Sequence, residues 1–394
     1  MLDVLIVGAG PAGAVAAVVL ARAGVRVRIV DRATFPRGKL CGDTVNPGAL
    51  ARLQALGLAA DLEVRGLPVA GMLVTGERGV AIEGRYPDGV VGRAIVRRDL
   101  DWLLLRGAID AGCQFEAGVS VRGAVVTDAK AGRAVSGVTI GGGETLAARV
   151  TIAADGRHST IAFGLGLARH PPRPRRWAIG AYYENFTNGV RRVSDPPPDP
   201  RLTPGVLGEM HIRRGRYIGV APLPGGLTNV CLVRPSRPGD ADLRDPAALL
   251  SRELMRDPLL RDRAATARLV GPPVVLGPLA VDATGAGLDG LLLAGDAAGF
   301  IDPMTGDGLR FAVRGGELAA TAAMRALEHG WTGVHQQHAA TRRAEFSQKW
   351  RFNRALRALV ASPRAVDVAA FSARVAPVAL RRVIEHAGDC DTIR

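Results

Sequence analysis

Three glycines near the start of the chain, Gly8, Gly10 and Gly13, have the spacing Gly-x-Gly-x-x-Gly. Between a strand and a helix, the first glycine permits a tight turn and the second lets the backbone approach a pyrophosphate. The third lets the helix lie close to the strand. The N-terminus of that helix offers free N–H groups and a partial positive charge to the same phosphates. The spacing predicts a dinucleotide site, although a glycine-rich turn of another α/β fold would also explain the glycines.

Asp31 and the elements around the glycines complete a nucleotide-binding unit. Residues 2–7 form an apolar run typical of a buried parallel strand, residues 14–23 predict a helix of small residues, and residues 25–30 predict a second strand. The second strand ends on Asp31, which Arg32 follows, and a carboxylate at this point can accept hydrogen bonds from a ribose diol. A glycine-rich turn alone would not explain this acid.

Further acidic residues and glycines lie at predicted strand ends and helix starts. An acid at a strand end can bind the hydroxyl groups of a ribose or ribityl chain, and N–H groups at a helix start can stabilise a negative charge on a bound cofactor. An acidic residue next to a glycine is by itself typical of an ordinary turn. Several such motifs in this order, after the glycine turn of residues 8–13, favour a cofactor site instead. The residues concerned are Arg98 in residues 97–101, Asp155 and Gly156 in residues 153–159, Gly295 and Asp296 in residues 291–299, and Gly306 and Gly308 in residues 302–309.

Cys41 lies in a long basic loop, with Lys39 before it and Gly42 directly after it. The four cysteines are far apart and form no Cys-x-x-Cys pair, so their spacing predicts neither a disulfide framework nor a zinc site. A buried, inert side chain is the default for a free cysteine, and the glycine-flanked loop leaves a redox or substrate-side role equally open. His335 and His338 could share a helix face, but no third ligand is in view, so we predict no metal site.

The composition indicates a large α/β protein. The chain has 394 residues, 47% of them hydrophobic, and this length predicts more than one domain. The formal net charge of +14 comes almost entirely from arginine residues spread along the chain, without a nucleic-acid-reading motif. We therefore expect no nucleic acid partner. The apolar start lacks a basic n-region and no run of 18 apolar residues occurs, so we expect a cytoplasmic protein.

The ordered motifs resemble those of the FAD-dependent oxidoreductases with the para-hydroxybenzoate-hydroxylase fold, and most of all the geranylgeranyl-reductase group. The resemblance covers roughly residues 2–327. It implies that FAD is the resident cofactor and that NAD(P)H is a transient reductant. By this resemblance, the ADP half of FAD is bound by Gly8, Gly10, Gly13, Asp31 and Arg32, and further cofactor contacts come from Arg98, Asp155 and Gly156. Gly295 and Asp296 bind the ribityl–pyrophosphate region, and Gly306 and Gly308 lie against the isoalloxazine. The loop with Cys41 lies near the flavin.

The chain departs from this group in the substrate region. The group often has Tyr-x-Trp-x-Phe-Pro there, whereas this chain keeps Tyr217 and Pro222 and has Gly219 and Ala221 at the two aromatic positions. The change argues against a long prenyl substrate. The Trp-x-Trp-x-Ile-Pro signature of flavin halogenases is absent from the sequence, so halogenation is not expected. A single glycine fingerprint implies no separate NAD(P)H domain.

The predicted fold class is α/β, with a Rossmann-like FAD-binding domain, an interleaved β-sheet substrate domain and a C-terminal helical tail. The FAD-binding domain is expected at residues 1–65, 96–170 and 275–330, the substrate domain at residues 66–95 and 171–274, and the tail at residues 331–394. Loops rich in proline are predicted at residues 170–176 and 195–200. The tail is basic, and its arginines and lysine either form a solvated face or contact an anionic membrane surface: Arg342, Arg343, Lys349, Arg351, Arg354, Arg357, Arg381 and Arg382.

These features predict an FAD-dependent, NAD(P)H-consuming oxidoreductase that acts on an apolar small molecule. Two reactions stay open from the residues: reduction of a carbon–carbon double bond, which the geranylgeranyl-reductase resemblance slightly favours, and hydroxylation of an aromatic or phenolic compound with molecular oxygen. A flavoprotein that passes electrons to a quinone or a protein partner is the alternative from another class. Cys41 is the candidate catalytic residue.

Overall fold

A computed structural model describes residues 2–129, 132–172, 175–186, 205–236, 239–362 and 377–390, together with residues 365 and 368. The strands are β1 (Leu2–Val7), β2 (Val27–Asp31), β3 (Thr44–Val45), β4 (Leu67–Thr75), β5 (Ala81–Arg85), β6 (Gly92–Ala94), β7 (Gln114–Ala117), β8 (Val121–Ala129), β9 (Gly132–Ile140), β10 (Thr145–Ala153), β11 (Ala168–Arg169), β12 (Arg176–Glu184), β13 (Val206–Arg213), β14 (Arg216–Pro222), β15 (Leu227–Pro235), β16 (Arg268–Leu276), β17 (Asp282–Ala283), β18 (Gly287–Leu288) and β19 (Leu291–Leu293). The helices are α1 (Pro11–Arg22), α2 (Pro47–Ala55), α3 (Ala60–Arg65), α4 (Arg97–Asp110), α5 (Thr160–Gly164), α6 (Pro246–Arg256), α7 (Arg261–Thr266), α8 (Gly308–His329), α9 (Val334–Ala361) and α10 (Pro377–Ala387). The loop predicted at residues 195–200 lies outside the described residues.

The first sheet has a parallel core that carries the glycine turn. Its strand order is β18-β19-β10-β1-β2-β7, with β1 parallel to both β2 and β10, and the β8–β9 hairpin attached to β10. Val4, Leu5 and Ile6 of β1 are fully buried, as expected for a strand with both faces covered. Helix α1 packs closely on α8, since a Cβ at Gly316 would lie 2.4 Å from the carbonyl oxygen of Ala12.

The second sheet is larger and mostly antiparallel. Its order is β16-β12-β15-β14-β13-β4-β6-β3, with β5 beside β4, and the β13–β4 pair is parallel. One face is covered by α6 and α7, where Ile218 and Leu232 of the sheet pack with Leu250 and Leu254. The predicted α/β class, with a Rossmann-like sheet, a second β-sheet and a helical C-terminal region, is confirmed. The division into numbered domains stays a prediction.

Helix α9 corrects the interpretation of the basic tail as a uniformly solvated or membrane-facing surface. Its buried residues recur every three to four positions and include Arg342 and Lys349, each about 4% exposed. Arg343 and Arg354 lie on the exposed side. The buried stripe faces α8 and the segment after β19, so two of the predicted surface cations lie inside the protein. Within the described part of the chain, no helix combines the length and apolarity that a membrane crossing requires.

Candidate functional site

A deep cleft lies between the two sheets and brings together most of the predicted motifs. It contains about 1550 Å³ of space between atoms, part of it open to solvent. Gly10, Cys41, Gly156 and Asp296 line it, and so do the first residues of α8. Its opposite wall comes from β4, β12, β13, β14 and β15 of the second sheet. Residues more than 250 positions apart in sequence therefore share one site.

The glycine turn between β1 and α1 has the shape of a phosphate cradle. Gly8 has a φ of +101°, and a Cβ there would lie 2.4 Å from the carbonyl oxygen of Ala154. A Cβ at Gly13 would lie 2.0 Å from the carbonyl oxygen of Gly8. At Gly10, the N-cap of α1, the nearest atom to a Cβ is Arg37 Nη2 at 3.8 Å. The protein thus requires glycine at the first and third positions, while the second faces open space at a helix N-terminus, where a pyrophosphate fits.

Asp31 holds the glycine turn from the end of β2. Its Oδ2 accepts a 2.8 Å hydrogen bond from the N–H of Ala9, and its Oδ1 accepts a 2.9 Å bond from the N–H of Ala33. Each carboxylate oxygen can accept more than one hydrogen bond, so the half-buried side chain still has capacity for a ribose diol. Arg32 is exposed and does not line the cleft.

At the start of α4, the residue next to the predicted one reaches the cleft. Arg98 is exposed and pairs with Asp99, with 3.1 Å between Nε and Oδ1. Arg97 is buried, lines the cleft and pairs with Asp101. Adjacent residues of a helix point about 100° apart, so a one-residue error moves the side chain from the cleft to solvent. Arg97, and not the predicted Arg98, is therefore the arginine of this pair that lies at the cleft.

Asp155 and Gly156 lie where β10 ends. Gly156 lines the cleft, whereas Asp155 turns back to cap α5, accepting a 3.1 Å hydrogen bond from the N–H of Thr160. Burial raises the pKa of Asp155 above its usual value. The structure thus gives Asp155 a local structural contact and places Gly156 at the site.

The segment after β19 forms the floor of the cleft. Gly295 has a φ of +59°, and Asp296 Oδ2 lies 3.9 Å from Lys39 Nζ across the cleft. Gly306 and Gly308 both line the cleft, and α8 begins at Gly308. The first N–H groups of a helix have no intrahelical partner and carry partial positive charge. They are suited to a ligand group that becomes negatively charged.

The loop with Cys41 is tied to the second sheet by a buried acid that sequence reasoning missed. Asp43 is 1% exposed and has a φ of +53°. Its Oδ2 accepts a 2.6 Å hydrogen bond from Asn229 Nδ2, its Oδ1 accepts a 2.9 Å bond from the N–H of Arg97, and the Tyr182 hydroxyl also bonds to it. Burial raises the pKa of Asp43 to about 6. In the sequence, only the position of Asp43 two residues after Cys41 indicates a role at the site. Nothing in the sequence around Asn229 indicates that it contributes.

Cys41 itself is half-buried and lines the cleft. Its carbonyl oxygen accepts a 2.9 Å hydrogen bond from Asn229 Nδ2, and its side chain is hydrogen-bonded to that of Arg97. The thiol therefore has a fixed position beside a guanidinium.

The sheet face opposite the α8 N-terminus is apolar and has space in it. A Cβ at Gly219 would have Cys231 O at 3.9 Å and Met210 Cε at 4.0 Å as its nearest neighbours, and a Cβ at Gly208 would have Met72 Cε at 3.7 Å. Tyr217 does not line the cleft, because its hydroxyl donates to Asp302 in the loop before α8. The glycines thus widen the cleft at positions that the protein's own packing leaves free.

The two histidines considered as metal ligands have structural contacts. His338 Nε2 lies 3.1 Å from the carbonyl oxygen of Leu293, and His335 Nε2 lies 3.7 Å from Asp289. No group of three or more His, Cys, Asp or Glu side chains in the described ranges could hold a metal ion.

Comparisons with known proteins agree with this geometry. Residues 1–181 match the sequence family described as FAD binding domain. The menaquinone reductase of Mycolicibacterium smegmatis is 30% identical over 96% of this chain and 88% of its own length. The geranylgeranyl diphosphate reductase of Rhodobacter capsulatus is 31% identical over 83% of this chain and 76% of its length. A solved myxobacterial halogenase, the chondrochloren halogenase, superposes with a TM-score of 0.80 at 22% identity, covering 96% of this chain and 90% of that one, and this likeness shows the fold alone.

The N-terminus of α1 and the helix start at Gly308 line one cleft, and Asp31 at the end of β2 holds the glycine turn beside it, an arrangement that fits FAD. Two relatives with reductase names match most of the chain. The protein is therefore an enzyme, and it belongs to the FAD-dependent oxidoreductases of the group that contains the menaquinone and geranylgeranyl reductases.

Proposed function

We propose that this enzyme uses NAD(P)H and FAD to reduce a carbon–carbon double bond in the polyprenyl chain of an apolar substrate. One observation carries the proposal: the start of α8, the thiol of Cys41 and an apolar, open sheet face line the same cleft. Pockets of this kind, mostly apolar with a few convergent polar groups, are typical of sites for small apolar ligands.

The named substrates of the relatives support an isoprenoid chain. Menaquinone and geranylgeranyl diphosphate, which appear in the names of two relatives, have different head groups but share a chain of isoprene units with isolated double bonds. A common chemistry for the group is therefore hydrogenation of such a bond. The apolar wall of Val69, Met72, Met210 and Leu276 suits that chain. The loss of the aromatic residue at Gly219, which by sequence argued against a long prenyl substrate, leaves open space beside this wall, so it is compatible with such a chain.

Reduction of an isolated double bond adds a hydride to one carbon and a proton to the other. FAD, when bound and reduced, supplies the hydride. The glycine turn and Asp31 would hold the ADP end of the cofactor, and the N–H groups at Gly308 would lie beside its reactive end.

Cys41 supplies the proton in this proposal. Its Sγ–H bond breaks, the proton goes to the second carbon, and the sulfur that remains stays hydrogen-bonded to the Arg97 side chain. Water then returns the proton to Sγ. Asp43 and Asn229 are positioning residues, because they fix the loop through the Cys41 carbonyl and the Arg97 N–H.

The test is to incubate the purified flavoprotein with NADH or NADPH and either menaquinone or geranylgeranyl diphosphate, with and without oxygen, and to weigh the products. A product heavier by two hydrogens without oxygen supports the proposal. A product heavier by one oxygen, formed only in air, contradicts it and indicates a monooxygenase. Reduction of artificial acceptors alone indicates an electron-transfer protein.

Two cysteine variants separate the proton donor from its neighbours. Cys41→Ala should keep the flavin absorption spectrum and lower turnover by roughly 10²–10⁴-fold, the usual contribution of a positioned acid. Cys231→Ala is the matched control, because this thiol lines the same cleft and burial raises its pKa to about 12. Equal losses in both variants would contradict a specific role for Cys41. Asp296→Ala should instead lose FAD itself.

A further inference from the structure

Arg342 of α9 is a buried cation without an anionic partner in the part of the chain that the structure describes. The residue is 4% exposed, and among the described residues its Nη1 finds no hydrogen-bond acceptor and no carboxylate pairs with it. Its contacts are the carbonyl oxygen of Ala298, 3.2 Å from Nη2, and the ring of Phe346, whose centre lies 5.3 Å from Cζ. An unpaired charge in the interior is costly, so proteins normally supply a counter-charge.

The guanidinium lies directly behind the turn at Gly295. A Cβ placed on Gly315 of α8 would lie 3.0 Å from Arg342 Nη1 and 3.5 Å from the backbone nitrogen of Gly295. A Cβ on Gly295 would in turn lie 2.9 Å from the Cβ of Ala12, in the first turn of α1. Arg342 is therefore close to both segments that face the cleft where the pyrophosphate cradle lies.

A second basic side chain of α9 contacts the other end of the same turn. His338 Nε2 bonds to the carbonyl oxygen of Leu293, while Arg342 bonds to that of Ala298. The two contacts bracket Gly295 and Asp296. Burial and the nearby Arg342 lower the pKa of His338 to about 4, so His338 is neutral and Arg342 carries the only charge of the pair.

We propose that Arg342 is a cofactor-positioning residue: from behind the turn at Gly295 and Asp296, it supplies the positive charge that the FAD pyrophosphate neutralises. The pyrophosphate of FAD carries two negative charges, and the protein around Arg342 is too poorly solvated to screen the attraction. The inference rests on FAD as the cofactor, and it is independent of the proposed substrate and reaction.

The test compares three variants in the apoprotein and after addition of FAD: Arg342→Met, which removes the charge; Arg342→Lys, which keeps it; and Arg343→Met, at the exposed neighbouring position. Each is measured by thermal unfolding and by FAD titration. For Arg342→Met we expect an apoprotein melting temperature no lower than that of the parent protein, a smaller FAD-induced rise and a Kd for FAD that is weaker by roughly 10-fold or more. The lysine variant should retain most of the FAD affinity, and Arg343→Met should behave as the parent protein.

A purely structural role for Arg342 gives the opposite result. The methionine variant would then have a lower apoprotein melting temperature and an unchanged Kd for FAD, and this result would overturn the proposal. A methionine variant that fails to fold also contradicts it, because the proposal requires the uncharged apoprotein to be stable. Failure of the parent protein to bind FAD would instead overturn the cofactor assignment.

Discussion

The glycines at the cofactor end of the cleft and those on its sheet wall are constrained in different ways. At Gly8 and Gly13, a Cβ would lie 2.4 Å and 2.0 Å from backbone oxygens, and no side chain fits. At Gly208 and Gly219, the nearest atoms are 3.7 Å and 3.9 Å away, at ordinary contact distance. The first pair is therefore required by the fold. No contact inside the protein requires glycine at the second pair. The lack of a side chain at these positions is therefore best explained by a ligand that occupies the cleft.

Gly10 differs from both pairs. The protein itself leaves room for a side chain at this position, whereas a bound cofactor would fill that room. Its Cβ would meet only the end of the Arg37 side chain, at 3.8 Å. The three glycines of the fingerprint therefore have separate causes: close packing requires the first and the third, and the second leaves the space that a pyrophosphate would need. Substitutions can distinguish these causes.

The largest effect is expected at the third glycine. Gly13→Ala forces a methyl group against the Gly8 carbonyl oxygen, so it should cost about 1–3 kcal/mol or more of stability and abolish FAD binding. Gly10→Ala is the matched variant. It should leave the melting temperature of the apoprotein unchanged and lower the affinity for FAD. Thermal unfolding and FAD titration measure both. A stable Gly13→Ala protein with normal FAD affinity would contradict the steric argument.

On the sheet wall, Gly219→Trp should leave folding and FAD content unchanged and reduce the size of substrate that the cleft admits. We expect kcat/KM for menaquinone to fall roughly 10–200-fold relative to that for a linear prenyl diphosphate, because the indole occupies the open space beside Met210. Gly219→Ala serves as the control with little expected change. An unaltered preference in the tryptophan variant would mean that the substrate does not use this wall.

The smallest effect concerns Asp43, which joins the Cys41 loop to the sheet wall. Its pKa is about 6 in the folded protein, against 3.8 for an aspartate in water, because burial disfavours the charged form. The stabilising contribution of the neutral form is fully present below the lower value and is lost as the pH rises through about 6. The difference between the melting temperatures of the parent protein and of Asp43→Asn should therefore change with pH. Between about pH 4.5 and pH 7, the parent protein should lose on the order of a few degrees relative to the variant. A constant difference would show that Asp43 does not titrate in this range.

Much of the cofactor half could be predicted because its signals are local. The turn, helix and acid of residues 2–31 contact one another within a short stretch, so the spacing of Gly8, Gly13 and Asp31 already encodes the cradle. The prediction at the start of α4 was less accurate. Two adjacent arginines there have the same chemistry, and only the orientation of the helix decides that Arg97 and not Arg98 faces the cleft.

The tail of the chain was the least predictable region. Its charges suggested a solvated face, yet Arg342 and Lys349 are buried at positions that share one side of α9. The helical spacing of His338, Arg342 and Phe346 was a usable signal, since it marks a stripe and not a scattered surface. What the stripe faces could not be read from it, because the partner of α9 is a turn more than 40 residues away.

The sequence by itself predicted the α/β class and the glycine turn of a dinucleotide site, because these depend on contacts within one strand-turn-helix unit. FAD as the cofactor followed from the resemblance of the ordered motifs over residues 2–327. Tertiary structure alone decided which cations are buried, that Asp43 meets Asn229 across 186 positions, and that two glycines open the wall of the cleft. Such features depend on which distant surfaces pack together, and burial converts a common side chain into a functional one only after that packing has formed.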